Sequence, residues 1–208
     1  FLCQKIKLMK TAVDQSAYSY SDYCSFVNAL FVQGKATGVD HSVEKLDATK
    51  LNIRRMKRLD KTATITADIL TEIEELNQNW DWLLILEGWC GDGAQIGPYI
   101  NKIAESTSRI NLQIILRDEN PKVMDEYLTN GTRSIPVLVC RNSETGADIG
   151  WWGPRPVRVI EHLEQFKHNK LDYTSAEFKK ELHLFYSLDK GKAICEDLLN
   201  AIRIWKND

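Results

Sequence analysis

Two kinds of hydrophobic pattern divide the chain. In the first seventy-odd residues, apolar positions recur at three- and four-residue steps. Tyr20, Tyr23, Val27, Leu30 and Phe31 form one such stripe, Val43, Leu46, Ile53 and Met56 a second, and Ile69, Leu70, Ile73 and Leu76 a third. This is the stripe of amphipathic helices, and nothing here alternates with period two. Ser19 or Ser21 is placed to cap the first helix and Ser42 the second, with a glycine-bearing turn over 33–38 between them.

From Trp80 the pattern changes. Residues 82–86 are a short, continuous apolar run, as expected of a strand covered on both faces. Residues 94–105 read as a helix and 110–116 as a second strand. A helix over 121–128 is opened by a proline in its first turn and stopped near Asn130-Gly131. Residues 135–140 predict a third strand, and the polar stretch 142–148 predicts a turn that brings 149–152 back as its antiparallel partner. An amphipathic helix over 156–166 uses Val157, Ile160 and Leu163, and two more helical segments, 175–186 and 193–205, close the chain.

The order β-α-β-α-β-β-α predicts an α/β fold with a mixed central sheet and helices on both faces. Its strand–helix–strand units should form parallel pairs and its last two strands a hairpin. Residues 1–79 are then a helical extension packed on a core of 80–167, followed by C-terminal helices over 168–208.

Composition narrows the function classes. With 208 residues, 43% hydrophobic and 27% charged, the chain can bury a full core. A net charge of −2 supplies no global field for nucleic acid or an anionic membrane. The basic run Arg54-Arg55-Met56-Lys57-Arg58 is flanked by Glu44 and Asp60 and reads as a solvated helix face. No stretch approaches the roughly 20 apolar residues of a membrane span. Residues 1–8 are too short and too interrupted by lysine for a signal peptide, and the missing initiator Met is compatible with a processed or a trimmed start. Five scattered cysteines (Cys3, Cys24, Cys90, Cys140 and Cys195) make no disulfide framework, so the cytoplasm is the expected compartment. His41, His162, His168 and His183 show no ligand spacing, and no glycine-rich phosphate loop occurs, so neither a metal nor a cofactor is expected.

The candidate chemistry lies at Trp89-Cys90-Gly91-Asp92-Gly93. A cysteine between a strand and a helix meets free backbone N–H groups and the positive end of the helix dipole, which favour a thiolate. Asp92 opposes this by placing a carboxylate in the same turn, although an acid is also an ordinary helix-start residue.

Three motifs together carry a resemblance. Trp89-Cys90-Gly91 matches the start of the thioredoxin W-C-G-P-C signature. Pro98 stands where thioredoxins kink the active-site helix, and Ser134-Ile135-Pro136-Val137 matches the family's cis-proline segment. With the element order, residues 80–167 resemble the thioredoxin family. The whole chain further resembles a bacterial group of thioredoxin-like proteins with an N-terminal helical extension, a W-C-G-D motif and a W-G-P-R-P stretch, here Trp152-Gly153-Pro154-Arg155-Pro156. The run from His41-Ser42 to Leu59-Asp60-Lys61 is similar to that group's extension.

The resemblance implies Cys90 as the nucleophile and a substrate groove formed by Trp89, Gly91, Asp92, Ile135, Pro136 and Trp152. It also carries departures. Gly93 replaces the resolving cysteine, and Leu84 replaces the buried proton-accepting acid. The glutaredoxin glutathione signature is not evident at Gly150-Trp151-Trp152-Gly153. The expected activity is therefore monothiol thiol–disulfide exchange in cell redox homeostasis, with a protein disulfide or a small thiol such as glutathione as partner. The alternative is a non-catalytic module binding a peptide or small molecule in the cis-proline groove.

Glu87 and Arg133 are the candidate modulators of the thiol. Each has a plainer reading, as an exposed strand-end acid and a solvated loop arginine. Arg155 reads first as structural, Cys140 as a small buried hydrophobe, and Cys24 and Cys195 as core residues able to resolve Cys90 only if the extensions fold over it.

Overall fold

β1 (Trp80–Leu86) is the spine of a four-stranded sheet in the order β2-β1-β3-β4, where β2 is Ile110–Leu116, β3 Val137–Asn142 and β4 Asp148–Trp152. The computed structural model describes residues 17–207; Cys3 and the start of the chain, read above, lie outside the described residues. Alternate side chains of β1 serve opposite faces. Trp80, Trp82, Leu84 and Leu86 enter one apolar cluster, and Leu83 and Ile85 enter another.

β1 pairs with β2 in parallel, through the helix α4 (Gly91–Glu105). The next connection departs from expectation, because β3 runs antiparallel to β1, with Val137 opposite Ile85. The helix expected over 121–128 is only α5 (Pro121–Met124), four residues long. With so short a helix, β2 and β3 are joined mainly by loop, and the chain turns back at the same end of the sheet. The ends of β1 and β2 and the start of β3 gather there. β3 and β4 form the expected hairpin.

The long helices are α1 (Tyr20–Val32), α2 (Val43–Thr62), α3 (Ala67–Glu74), α4, α6 (Val157–Asn169), α7 (Ser175–Asp189) and α8 (Lys192–Lys206). Ser19 caps α1 by accepting the Asp22 N–H at 3.1 Å, and Ser42 caps α2 by accepting that of Lys45 at 3.5 Å. All seven supply apolar side chains to the cluster around Trp80 and Trp82. Trp205 of α8 packs edge-on against both, at ring-centroid distances of 6.3 and 6.2 Å. The opposite face is covered by Val123 and Met124 of α5, together with Tyr127, Ile135 and Ala17. Helices on both faces were expected; the second face carries one helical turn and a loop.

Two helical pieces far apart in sequence are tied together. Arg203 and Lys206 of α8 pair with Glu72 of α3 at 2.7 and 2.8 Å, and Lys206 also pairs with Glu75 at 2.6 Å. Among the described residues no helix is long and apolar enough to cross a membrane.

Candidate functional site

Cys90 is the N-cap of α4, and its Sγ accepts the Gly93 N–H at 3.3 Å. The same sulfur donates to the Ile135 carbonyl at 3.5 Å, next to the cis Ile135–Pro136 peptide. The strand end at Leu86, the α4 start and the approach to β3 thus meet at one sulfur. Cys90 is only 7% exposed. Burial pushes its thiol up to about 12, and the Asp92 charge adds to the rise; the N–H groups of Gly93 and Asp92 and the Arg155 charge work against it. The helix-terminus effect expected from the sequence is present but outweighed. A terminus is worth about 0.3–1 kcal/mol, and up to about 2 when partly buried, whereas full burial of an ionised group costs several.

Asp92 is buried beside the thiol and fully engaged. Arg155 grips its Oδ2 through Nε at 2.9 Å and Nη2 at 2.8 Å, and Tyr186 donates to its Oδ1 at 2.8 Å. Arg155 arrives by way of Gly153, which has φ +134° and on which any Cβ would strike the Pro136 carbonyl. Only glycine allows that approach. Tyr186 belongs to α7, as does His183, which lies over Gly91: a Cβ there would meet His183 Cε1 at 3.0 Å. Burial, with the nearby Arg55 charge, lowers the His183 imidazole to about 4, and its buried Nδ1 has no hydrogen-bond partner.

On the other side of Cys90, Trp89 packs against the cluster that holds Cys90 and Ile135. Lys45 Nζ lies 3.0 Å from the centroid of its ring, and the Arg117 guanidinium carbon lies 4.8 Å away. Arg117 reaches on to the Arg133 carbonyl at 3.4 Å.

Several sequence-level candidates lie elsewhere. Glu87 is buried, at 1% exposure, rather than exposed at a strand end. Its Oε1 accepts the Asp118 N–H at 2.9 Å, its Oε2 is unpartnered, and burial raises its carboxyl. Arg133 points to the surface and forms a two-pronged pair with Asp125 at 2.7 and 2.8 Å. Trp152 packs into the helix-covered cluster, with its indole N–H on Asp197 at 3.3 Å, and not beside Cys90.

The four described cysteines are free. Cys24, Cys140 and Cys195 all pack into the helix-covered cluster, apart from that of Cys90. Burial raises the thiols of Cys24 and Cys195 to about 11. Among the described residues no group of His, Cys, Asp and Glu is placed to hold a metal ion.

The parts missed by sequence reading are the Asp92–Arg155–Tyr186 cluster and the two cations on Trp89. The W-C-G-D and W-G-P-R-P motifs contained Asp92 and Arg155, and opposite charges in two such motifs were the available signal.

The thioredoxin family profile matches residues 38–167, which spans α2, the sheet and α6. No curated protein matches the chain significantly. Two solved structures are similar to it at low identity. One is a crystal structure of an HIV epitope scaffold, 19% identical over 89% of this chain and 97% of that one, with a TM-score of 0.48. The other is a protein of unknown function from Pseudomonas aeruginosa, 16% identical over 85% and 95%, with a TM-score of 0.47.

Proposed function

The chain belongs to the thioredoxin family, and from that premise we propose that it performs monothiol thiol–disulfide exchange at Cys90, within the redox homeostasis of a bacterial cytoplasm. The observation that carries this reading is the Cys90 sulfur held between the Gly93 N–H and the Ile135 carbonyl. Once the thiol has lost its proton to solvent, the thiolate attacks one sulfur of a substrate disulfide. The substrate S–S bond breaks, a Cys90 mixed disulfide forms, and the departing thiolate takes a proton from water. Gly93 offers no second sulfur, so an external thiol of the glutathione type attacks the mixed disulfide, releases Cys90 and leaves joined to the substrate half. The substrate is a protein disulfide or a small disulfide, and Trp89, Gly91, Ile135 and Pro136 line its approach.

A buried thiol with its pKa near 12 reacts slowly at neutral pH. The alkylation rate of Cys90 with iodoacetamide therefore climbs about tenfold per pH unit through pH 9, without the levelling near 8.5 of an ordinary cysteine. Incubation with a small disulfide yields a Cys90 adduct by mass spectrometry, which glutathione reverses and Cys90→Ser abolishes. Absence of any adduct over a day at pH 9 rejects exchange chemistry.

The 7% exposure of Cys90 favours a second reading, a non-catalytic groove that holds a peptide or small molecule. In that case Cys90→Ser leaves ligand binding intact and no turnover accompanies it.

A further inference from the structure

A substrate that reaches Cys90 passes Trp89, and two cations stand on that ring. Lys45 Nζ lies 3.0 Å from its centroid and the Arg117 guanidinium carbon 4.8 Å. Arg117 also spans to the Arg133 carbonyl at 3.4 Å, just ahead of the Ile135–Pro136 peptide against which the thiol rests. The pair therefore sits on the residue before Cys90, and Arg117 reaches to the segment that the thiol touches.

The Lys45 charge is incompletely answered. Arg117 has a partner in Asp118 at 2.8 Å. Lys45 forms no ion pair among the described residues; Asp40, Asp118 and Glu44 act on it only from a distance, and the Arg117 charge repels it. The indole face attracts a cation, with a value of about 0.5–1 kcal/mol at an exposed site, but it does not neutralise the charge. A half-buried ammonium beside a second cation is relieved by an incoming anion.

We propose that Lys45 and Arg117 form an anion subsite beside Cys90, which selects disulfides bearing a carboxylate near the reacting sulfur over neutral or cationic ones. This inference rests on the thiol-exchange reading and names its substrate class. Trp89, the residue before Cys90, carries both cations on its ring. The chemistry is as described above, with the substrate carboxylate seated on Lys45 and Arg117 while the Cys90 thiolate attacks.

Three small disulfides of similar size and different charge test the subsite: dithiodipropionate, hydroxyethyl disulfide and cystamine. The rate of Cys90 adduct formation falls in that order, with about three- to tenfold between the first and the last. Raising the salt concentration to about 1 M shrinks the ratio in the unmodified protein, because the screening length drops to about 3 Å. In the Lys45→Gln, Arg117→Gln double variant the ratio falls to near one. Equal rates in the unmodified protein, or a ratio unchanged in the variant, overturn the subsite while leaving exchange chemistry standing.

If none of the three disulfides modifies Cys90, exchange itself fails, and the subsite is decided separately on Cys90→Ser protein. There, dithiodipropionate shifts the Trp89 indole N–H resonance in NMR and cystamine does not. A resonance that responds to neither, or to both alike, removes the anion subsite as well.

Discussion

Two clusters of charge flank Cys90, and they are built in opposite ways. On one side Arg155 is locked to Asp92, with Tyr186 on the remaining carboxylate oxygen, and α7 closes over them. On the other, Lys45 and Arg117 rest on the Trp89 ring, with Arg117 paired to Asp118 and Lys45 in no ion pair among the described residues. The first is a satisfied pair, its carboxylate buried and its guanidinium partly so, that fixes the start of α4 to the β4–α6 loop and to α7. The second holds charge at the surface, where a ligand can use it. Proximity to the thiol is therefore a poor guide to role; what distinguishes the two clusters is that Lys45 has no ion-pair partner among the described residues, whereas Arg117 pairs with Asp118.

The largest effect should come from breaking the closed cluster. Asp92→Ala strands the Arg155 guanidinium and removes the acceptor of Tyr186. Loss of one partner of a fully buried pair costs about 3–5 kcal/mol; the Arg155 side chain keeps 30% exposure, so the loss should fall below that range, read as a lower urea midpoint at unchanged slope. A loss below about 1 kcal/mol would show that the cluster is not the clamp its geometry describes.

A smaller effect concerns the cover that α7 lays over the site. The His183 imidazole is lowered to about 4 from an ordinary 6.5. Between those values the unfolded chain binds a proton that the folded chain refuses, so stability is full above about pH 6.5 and is lost as pH falls towards 4. One proton carries at most about 1.4 kcal/mol per pH unit, and solvent reaching the half-buried ring reduces it. The urea midpoint of the unmodified protein should thus drop further between pH 7 and pH 5 than that of His183→Gln. Parallel pH curves for the two proteins would remove His183 from the account.

The smallest effect is expected at Arg133. Its pair with Asp125 leaves both side chains 49% exposed, and exposed pairs contribute little. Arg133→Ala should leave the urea midpoint and the alkylation rate of Cys90 within error. A faster or slower thiol in this variant would extend the open cluster beyond Lys45 and Arg117.

The sequence is most legible where local pattern decides the outcome. The continuous apolar run at the heart of β1, the helical periods of α1 to α3 and the caps at Ser19 and Ser42 depend on neighbours a few residues away. The core boundary is less clear, because the helix expected over 121–128 shares its period with Tyr127. That side chain instead donates to Asp148 at 2.5 Å and accepts from Arg141 at 3.1 Å, and α5 ends at Met124. The antiparallel β3 is likewise announced by no periodicity. At the site, Cys90 and Pro136 stand out through motif. Asp92 finds Arg155 across 63 positions and Tyr186 across 94, a relation that a single sequence does not encode locally. The burial of Glu87 is illegible for a similar reason: the chain at Asp118, remote in sequence, folds over the strand end.

The two edges of the sheet are unequal as well. β2 is occupied at its centre, where Tyr18 and Ile114 exchange both backbone hydrogen bonds at 2.8 Å. β4, at the other edge, pairs only with β3 among the described residues, and its Trp151 is 42% exposed. A bare edge invites a strand from another chain. Tyr18 interrupts the middle of the β2 edge, so among the described residues the longer uncovered edge is that of β4.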